Sequence, residues 1–344
     1  KNTLKESEFA DEVWEKIHEC GGYPSNPDSS QINESESFND LYKGITLTMD
    51  VIDGKTRNKK GTIMNILVTG GAGFVGTNLI KRLLKDGHDV TSIDNYLSGF
   101  SSNHQDGANY ICGDVRNLTI LDNVKYDIIF HLAAIARIQP SFKHPVEYFE
   151  TNTNGTLNVV QYCIKNDIPL VYAGSSSHHS GKFKNPYTFS KDIGEEIIKL
   201  YQEHFGLRSS ITRFYNVYGP YHLRDGGYST VIGRWEKQYD DGEPLTIYGD
   251  GSKRRDFTHI DDIVNALIKI KDKNAWGHIF ELGRGYNFSL NEVADMFKED
   301  RLYFEDKPGE AQETLCESRI ARFILEWSPI INLSDYINEY KKGA

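Results

Sequence analysis

The chain has 344 residues, 38% of them hydrophobic and 26% charged, the balance of a soluble globular protein able to bury a sizeable core. Its formal net charge of −10 argues against non-specific binding to nucleic acid, which leaves a basic face, but not against an anionic small molecule in a local basic pocket. The longest apolar runs, such as IIF and IVNALI, are too short to span a bilayer, and no charged-then-apolar leader opens the chain, so neither membrane insertion nor secretion is indicated.

Four scattered cysteines, Cys20, Cys112, Cys163 and Cys316, form no C-x-x-C pair and have no histidine at metal-ligand spacing. They read as reduced thiols of a cytoplasmic protein without a metal site. The first 63 residues differ from the rest, with 12 acidic and 8 basic side chains. Within them SEFADEVWEKIHEC can form a short amphipathic helix capped by Ser7, with Phe9, Val13, Trp14 and Ile17 near helical spacing. The Gly/Pro/Ser/Asn-rich run that follows reads as a linker. The chain opens on Lys1, as a fragment or processed product would, and Met64 stands directly before NILVTG. Residues 1–63 are therefore expected to be an appended segment.

From there NILVTGGAGFVGTNLIKRLLKDGHDVTSIDN reads as strand, glycine-rich turn, helix and second strand. Gly71, Gly73 and Gly76 fit G-x-G-x-x-G, and Gly70 supplies the G-x-x-G-x-x-G variant. Such glycines let the backbone approach a pyrophosphate seated at the positive N-terminus of a helix. Asp94 ends the second strand at the spacing expected for an acid that accepts hydrogen bonds from the ribose hydroxyls and repels a 2′-phosphate, which favours NAD over NADP. Strand-like ANYICGD and YDIIFHLAA follow, alternating with helical segments, so a doubly wound parallel sheet is expected. Asp114 is placed to meet the adenine, and the small Ala133 and Ala134 leave room for the cofactor.

VYAGSS reads as a further buried strand, and PYTFSKDIGEEIIKLYQEHF as a helix opened by Pro186. Tyr187 and Lys191 lie one turn apart on the same face of that helix. A neighbouring ammonium is expected to lower the tyrosine pKa toward that of a general base, with a serine of the preceding strand end bridging to substrate. A second Tyr-x-x-x-Lys, at Tyr303 and Lys307, lacks the serine strand and is set aside. Residues 217–344, with interspersed helices and strands, are expected to form a smaller α/β substrate lobe beside a Rossmann-type domain at 64–216, some segments returning to that domain. Ligands would bind along the sheet's C-terminal edge.

In this order, TGGAGFVG, SIDNYLSG, GDVRN, FHLAA, NTNGT, YTFSK, RFYNVYGP and GDGSKRRDFTHIDDI resemble the extended short-chain dehydrogenases that act on nucleotide sugars. The resemblance runs from about Met64 to the C-terminus. It implies an NAD site made by Gly70, Gly71, Gly73, Phe74, Val75, Gly76, Asp94, Asn95, Asp114, Val115, Leu132, Ala133, Ala134, Tyr187 and Lys191. Tyr187 would be the base, Lys191 would orient it and hold the nicotinamide ribose, and a serine among Ser175, Ser176 and Ser177 would contact the sugar. Asn216 matches a position on the substrate's phosphate side, and Arg255 one that grips the diphosphate or its base through its donor fork. GGYSTVIGRW most resembles the 4-epimerases of UDP-hexoses and would face substrate through Tyr228 and Ser229. DKPGE at 306–310 resembles a later phosphate-side motif, with Lys307 in place of the usual arginine, so the charge is kept and the bidentate fork lost. A homodimer, packed through helices near 146–166 and 186–205, is also implied.

Related 4,6-dehydratases carry an Asp-Glu pair after the active-site serine or threonine, and decarboxylases a glutamate close by. Here Ser177, His178 and His179 follow, and the first acid is Asp192. Epimerisation at C4 of a nucleotide-diphosphate sugar, which needs neither acid, is the expected reaction. A dehydratase, another NAD-dependent nucleotide-sugar enzyme and a non-catalytic NAD sensor are the alternatives. The sugar and the choice of UDP or dTDP stay open. The paired histidines read as a solvated loop rather than a metal or substrate site. Eleven residues separate Ser175 from Tyr187, shorter than in relatives, and HHSG stands where Val-Tyr-Gly is usual. Counting from the strand favours Ser175, and counting back from Gly181 favours Ser176; Ser175 is expected to act. The missing excursion implies a more open sugar pocket or a wall borrowed from elsewhere.

Overall fold

A computed structural model describes residues 62–121 and 124–343. The expected appended segment and its helix from Ser7 lie outside these residues, apart from Thr62 and Ile63.

The frame is a seven-stranded sheet in the order β11-β6-β5-β4-β1-β2-β3, with every pair parallel. Its strands are β1 (Asn65–Thr69), β2 (Asp89–Asp94), β3 (Asn109–Cys112), β4 (Ile128–His131), β5 (Leu170–Ser175), β6 (Ser209–Phe214) and β11 (Ile279–Leu282). This is the doubly wound arrangement expected from the alternating strand and helix pattern. β1 explains why both faces must be covered. Ile66, Leu67 and Val68 are all fully buried, so side chains on either face of the pleat need a layer of helices.

On one face Ile66 and Val68 meet α1 (Phe74–Lys85) and α7 (Ile260–Lys273), through Leu79, Ile80, Ile263 and Leu267. On the other, Leu67 and Ile129 meet α4 (Gly155–Asn166) and α5 (Pro186–Phe205), through Val159, Val160 and Ile198. Between β4 and α4 lie two short helices, α2 (Ile138–Lys143) and α3 (Pro145–Tyr148), and a π-helical turn over Phe149–Asn154.

The second lobe has its own core, in which Trp235, Ile247, Phe257, Val293, Phe297 and Ile337 pack together. It is built from β7 (Val217–Tyr218), α6 (Val231–Asp240), β8 (Leu245–Tyr248), β9 (Arg254–Arg255), β10 (Thr258–His259), β12 (Phe288–Ser289), α8 (Leu290–Phe297), β13 (Arg301–Phe304) and α10 (Leu333–Gly343). From the same stretch of chain β11 returns to the edge of the main sheet, and α9 (Ile320–Leu325) packs against it. Strand order reverses between β1 and β4, and the crevice at their carboxyl ends is where a doubly wound sheet takes ligands.

Candidate active site

A cavity of about 970 Å3 runs along that crevice, from Gly73 and Asp94 at one end to Arg255 and Lys307 at the other. Nearly every residue singled out from the sequence lines it. The exceptions are Gly71, packed against Ser92 and Ile80, and Asp114. The Asp114 carboxylate is taken by Arg116, through Nε at 2.9 Å and Nη2 at 2.8 Å, and by Asn95 Nδ2 at 2.9 Å. The Arg116 hydrogen bond is the main reason its pKa falls to about 2. Its neighbours Gly113 and Val115 form the cavity wall instead.

At the centre, β5 ends on Ser175, which caps the short turn Ser176–Ser180 by accepting from Ser177 N at 3.2 Å. The next helix, α5, starts where the sequence dictates. Asn185 Oδ1 accepts from Thr188 N at 2.8 Å, and Pro186 occupies the first turn, which needs no N–H there. That start aims Tyr187 at the strand end, and its hydroxyl donates to Ser175 Oγ at 3.2 Å. Of the two serines under consideration, Ser175 is the one that Tyr187 contacts, and Ser175, Ser176 and Ser177 all line the cavity. Lys191 is buried with its ammonium over the Tyr172 ring, 4.2 Å from the centroid, and burial lowers its pKa to about 7 while Glu195 opposes the fall.

The expected lowering of the Tyr187 pKa is reversed in this state. Burial pushes it up, and the Ser175 hydrogen bond and the Arg137 charge only partly offset this, while Asp192 adds to the rise. The second Tyr-x-x-x-Lys is no helix pair, since Tyr303 lies on β13 and bonds Asn291, whereas Lys307 sits in the loop beyond.

At the far end Arg255 is fixed by backbone carbonyls, Nη1 donating to Arg254 O at 2.9 Å and Gln312 O at 3.3 Å, with Glu310 3.4 Å from Nη2. Lys307 Nζ stands 3.4 Å from the Tyr248 ring centroid. Asn216 holds a left-handed φ of 31°, which asparagine tolerates better than most, and spends its amide protons on Asp256 O at 2.8 Å and Thr314 Oγ1 at 2.9 Å. Ser229 Oγ donates to Gly226 O at 2.9 Å and accepts from Arg234 at 2.8 Å.

Asp306, Lys307 and Glu310 of the loop 306–310 form part of the cavity wall. Gln139 Nε2 donates to Pro308 O at 2.9 Å and Asn185 Nδ2 to Gly309 O at 3.2 Å, which pins the loop across α2 and the start of α5.

The pattern of the NAD dependent epimerase/dehydratase family matches residues 66–283. A UDP-N-acetyl-alpha-D-glucosaminuronate decarboxylase of Bacillus cytotoxicus is 33% identical over 252 residues, covering 66% of this chain and 77% of that protein. Among solved structures, the UDP-glucose 4-epimerase of Thermotoga maritima with UDP-glucose is 25% identical with a TM-score of 0.76, covering 81% of this chain and 99% of its own. The UDP-glucuronic acid 4-epimerase of Bacillus cereus, in complex with UDP-glucuronic acid and NAD, is 27% identical with a TM-score of 0.74, covering 81% and 98%. The chain belongs to the NAD-dependent epimerase/dehydratase family.

NAD is the family's cofactor, and the residues present fit it. Gly73 caps α1 with no side chain of its own, and a Cβ there would meet only Gly70 O at 3.3 Å, so the first-turn N–H groups face open space suited to a pyrophosphate. Asp94 is held by Ala72 N at 2.9 Å and Tyr96 N at 2.8 Å, which leaves each carboxylate oxygen a lone pair for a ribose hydroxyl. The Lys191 ammonium has no hydrogen-bond partner among the described residues, as expected of a group awaiting one in the cavity.

Two site features escaped the sequence reading. Arg137 lines the cavity beside Tyr187, its Nε donating to Tyr228 O at 2.7 Å and its own carbonyl accepting from Tyr148 at 2.7 Å. Tyr148 in turn packs edge-on against Tyr187, with ring centroids 6.3 Å apart. Neither has a motif around it. The second feature is the histidine pair, which is not a free loop. His178 Nδ1 bonds Asp192 at 2.9 Å and His179 Nε2 bonds Glu281 at 2.6 Å, and neither ring lines the cavity.

Proposed function

We propose that this protein epimerises C4 of a UDP-hexose of the glucose/galactose type through a transient 4-keto sugar. The observation that carries this reading is the Tyr187–Ser175 pair at 3.2 Å in a cavity without a free acid beside it. Among the described residues the acids lining the cavity are Asp94 at the adenosine end, and Asp306 and Glu310, paired with Lys253 and Arg255. Dehydration requires a carboxylic acid to protonate a leaving hydroxyl and a base at C5. Epimerisation requires one proton acceptor.

In this reading Tyr187, ionised when the site is loaded, takes the C4 hydroxyl proton with Ser175 hydrogen-bonded at the same oxygen. Bound NAD+, held by Gly70, Gly73, Asp94 and Lys191, would supply the redox chemistry, reversible hydride exchange at C4 of a sugar free to turn its opposite face. Tyr187 then gives the proton back to the carbonyl oxygen, so acid, base and cofactor are all regenerated. Lys191 would hold the cofactor's ribose, while Arg255 and Lys307 hold the diphosphate as the sugar turns and Asn216, its amide protons already taken, lines the cavity. A second reading, epimerisation of a UDP-uronate, draws on Arg137, a guanidinium with no carboxylate partner among the described residues at the sugar end.

Incubation with UDP-glucose, UDP-galactose, their N-acetyl forms and UDP-glucuronate, without added reductant, tests the proposal. C4 interconversion is expected; a 4-keto-6-deoxy sugar or a pentose with released CO2 overturns it. We further infer a homodimer through α4 and α5, whose neighbourhood exposes Phe149, Phe183, Leu200 and Phe205, to be checked by light scattering. A cytoplasmic setting accords with the free thiols of Cys112, Cys163 and Cys316.

A further inference from the structure

Asn185 is buried, 4% exposed, and its amide must satisfy an acceptor end and a donor end away from water. The oxygen caps α5, accepting from Thr188 N at 2.8 Å. A cap needs that oxygen alone, and serine, threonine or aspartate supplies one as well. The amide nitrogen is therefore surplus to the helix. It crosses to the substrate lobe instead, Nδ2 donating to Gly309 O at 3.2 Å, 124 residues along the chain.

Gly309 is shaped for that approach. Its φ of +78° lies in the left-handed region, and a Cβ there would stand 2.9 Å from the Phe142 ring on α2 and 3.5 Å from Asn185 Cβ. Gln139, also on α2, donates to the adjoining Pro308 O at 2.9 Å. The loop held in this way carries Lys307, whose ammonium lies over the Tyr248 ring and has no ion-pair or hydrogen-bond partner among the described residues. It also carries Glu310, which faces Arg255 at 3.4 Å.

The serine turn, on the other side of Tyr187, is fixed differently. His179 Nε2 bonds Glu281 on β11 at 2.6 Å, and Glu281 also accepts from Arg213 at 3.0 Å and Tyr215 at 2.7 Å. That anchor holds the turn to the edge of the main sheet. The Asn185 tie reaches from the helix start to the substrate lobe.

We propose that Asn185 is a positioning residue for the diphosphate grip, tying the loop that carries Lys307 to the first turn of the helix that carries Tyr187. One side chain then sets the spacing between the group that meets the C4 hydroxyl and the group that meets the diphosphate. This rests on the reading above, in which Tyr187 is the proton acceptor and Lys307 a ligand of the diphosphate.

The test separates the two halves of the amide in the full chain. Asn185→Ser keeps a capping oxygen and loses the donor, and Asn185→Asp keeps the cap while turning a second oxygen toward Gly309 O. Both are expected to melt close to wild type. Titration calorimetry of the NAD-loaded protein with UDP, and separately with dTDP, should show the tighter nucleotide bound about 2- to 10-fold more weakly in each variant, the range for one neutral hydrogen bond. In turnover KM should rise in step and kcat stay within a few-fold, since the cap still aims Tyr187 at Ser175. Lys307→Ala should weaken nucleotide binding by itself, and Asn185→Ser added to it should weaken binding little further, because the tie acts through that lysine. A side chain that only caps the helix would leave nucleotide affinity unmoved in Asn185→Ser, and that result overturns the proposal. A full further loss in the double variant also overturns it, by placing the effect elsewhere. The nucleotide titration does not depend on which sugar is turned over. A wrong reaction therefore shows in the product assay alone, and a wrong role for Asn185 in the titration alone.

Discussion

The two ends of the cleft are built on different principles. The cofactor end is made of backbone from one contiguous stretch, where glycines, a bare helix start and Asp94 lie between residues 70 and 94. The substrate end is made of side chains from well-separated segments. Arg137 meets Tyr228 across 91 residues, and Gln139 meets Pro308 across 169. A backbone site tolerates almost no added atom, whereas a side-chain site can lose one group and keep its shape. The proposed reaction is placed where the two meet, at Ser175 and Tyr187.

That contrast orders the effects of substitution. The largest is expected at the junction, where Tyr187→Phe should lower kcat by about 10²- to 10⁴-fold with little change in KM. Activity within tenfold of wild type would remove Tyr187 from the mechanism. Next come the glycines, which should separate into two kinds. A methyl at Gly76 would stand 2.2 Å from Gly70 O, so Gly76→Ala is expected to cost about 1–3 kcal/mol in stability as well as NAD binding. Gly73→Ala should melt like the wild type yet bind NAD at least tenfold more weakly, because the added methyl fills the phosphate cradle. Equal melting temperatures for the two variants would break the distinction between packing and cradle glycines.

At the substrate end the effects should be graded. Arg255→Ala is expected to raise KM about 10- to 100-fold, the range for losing charge-assisted hydrogen bonds, and to leave kcat within a few-fold. Lys307→Arg should lower KM by several-fold at most, restoring the planar fork. A matching loss of kcat in Arg255→Ala would mean that the diphosphate grip also orients the sugar.

A pH effect separates the sheet anchor from the site. Burial tends to raise the Glu281 pKa, but hydrogen bonds from His179 and Tyr215 and the Arg213 contact outweigh it and hold it at about 2, below the ordinary 4.5. A depressed carboxylate stabilises the fold above its unfolded pKa, and that contribution is lost as pH falls from about 4.5 toward 2. Glu281→Gln should cost about 1–3 kcal/mol in denaturant unfolding at neutral pH and flatten the acid limb over that window. An unchanged acid limb would deny Glu281 its anchoring role.

What could be read from the chain follows the same division. The strand, glycine turn, helix and acid of residues 65–94 are local, so composition and spacing reveal both element and task. Ser175 and Tyr187 were legible too, since a strand end and a helix start only twelve residues apart must meet. Arg137 and Tyr148 were not, because nothing near them in sequence signals that Tyr228 and Tyr187 will pack on them. His178 and His179 do keep the solvent exposure read from the sequence, 38% and 50%, but their partners escaped for the same reason, lying 14 and 102 residues away. The direction of the Tyr187 shift was misjudged because spacing reveals a lysine one turn away but not the depth of burial. Asp114 was legible in hindsight, as Arg116 two residues on is within reach of its carboxylate.

The most direct test of the account follows the hydrogen at C4. UDP-glucose carrying deuterium at C4, incubated with the protein in ordinary water, should yield UDP-galactose that keeps its C4 deuterium, with no solvent exchange at C5. Loss of that label, or incorporation of solvent hydrogen at C5, would contradict reversible oxidation at C4 and assign the cleft to elimination.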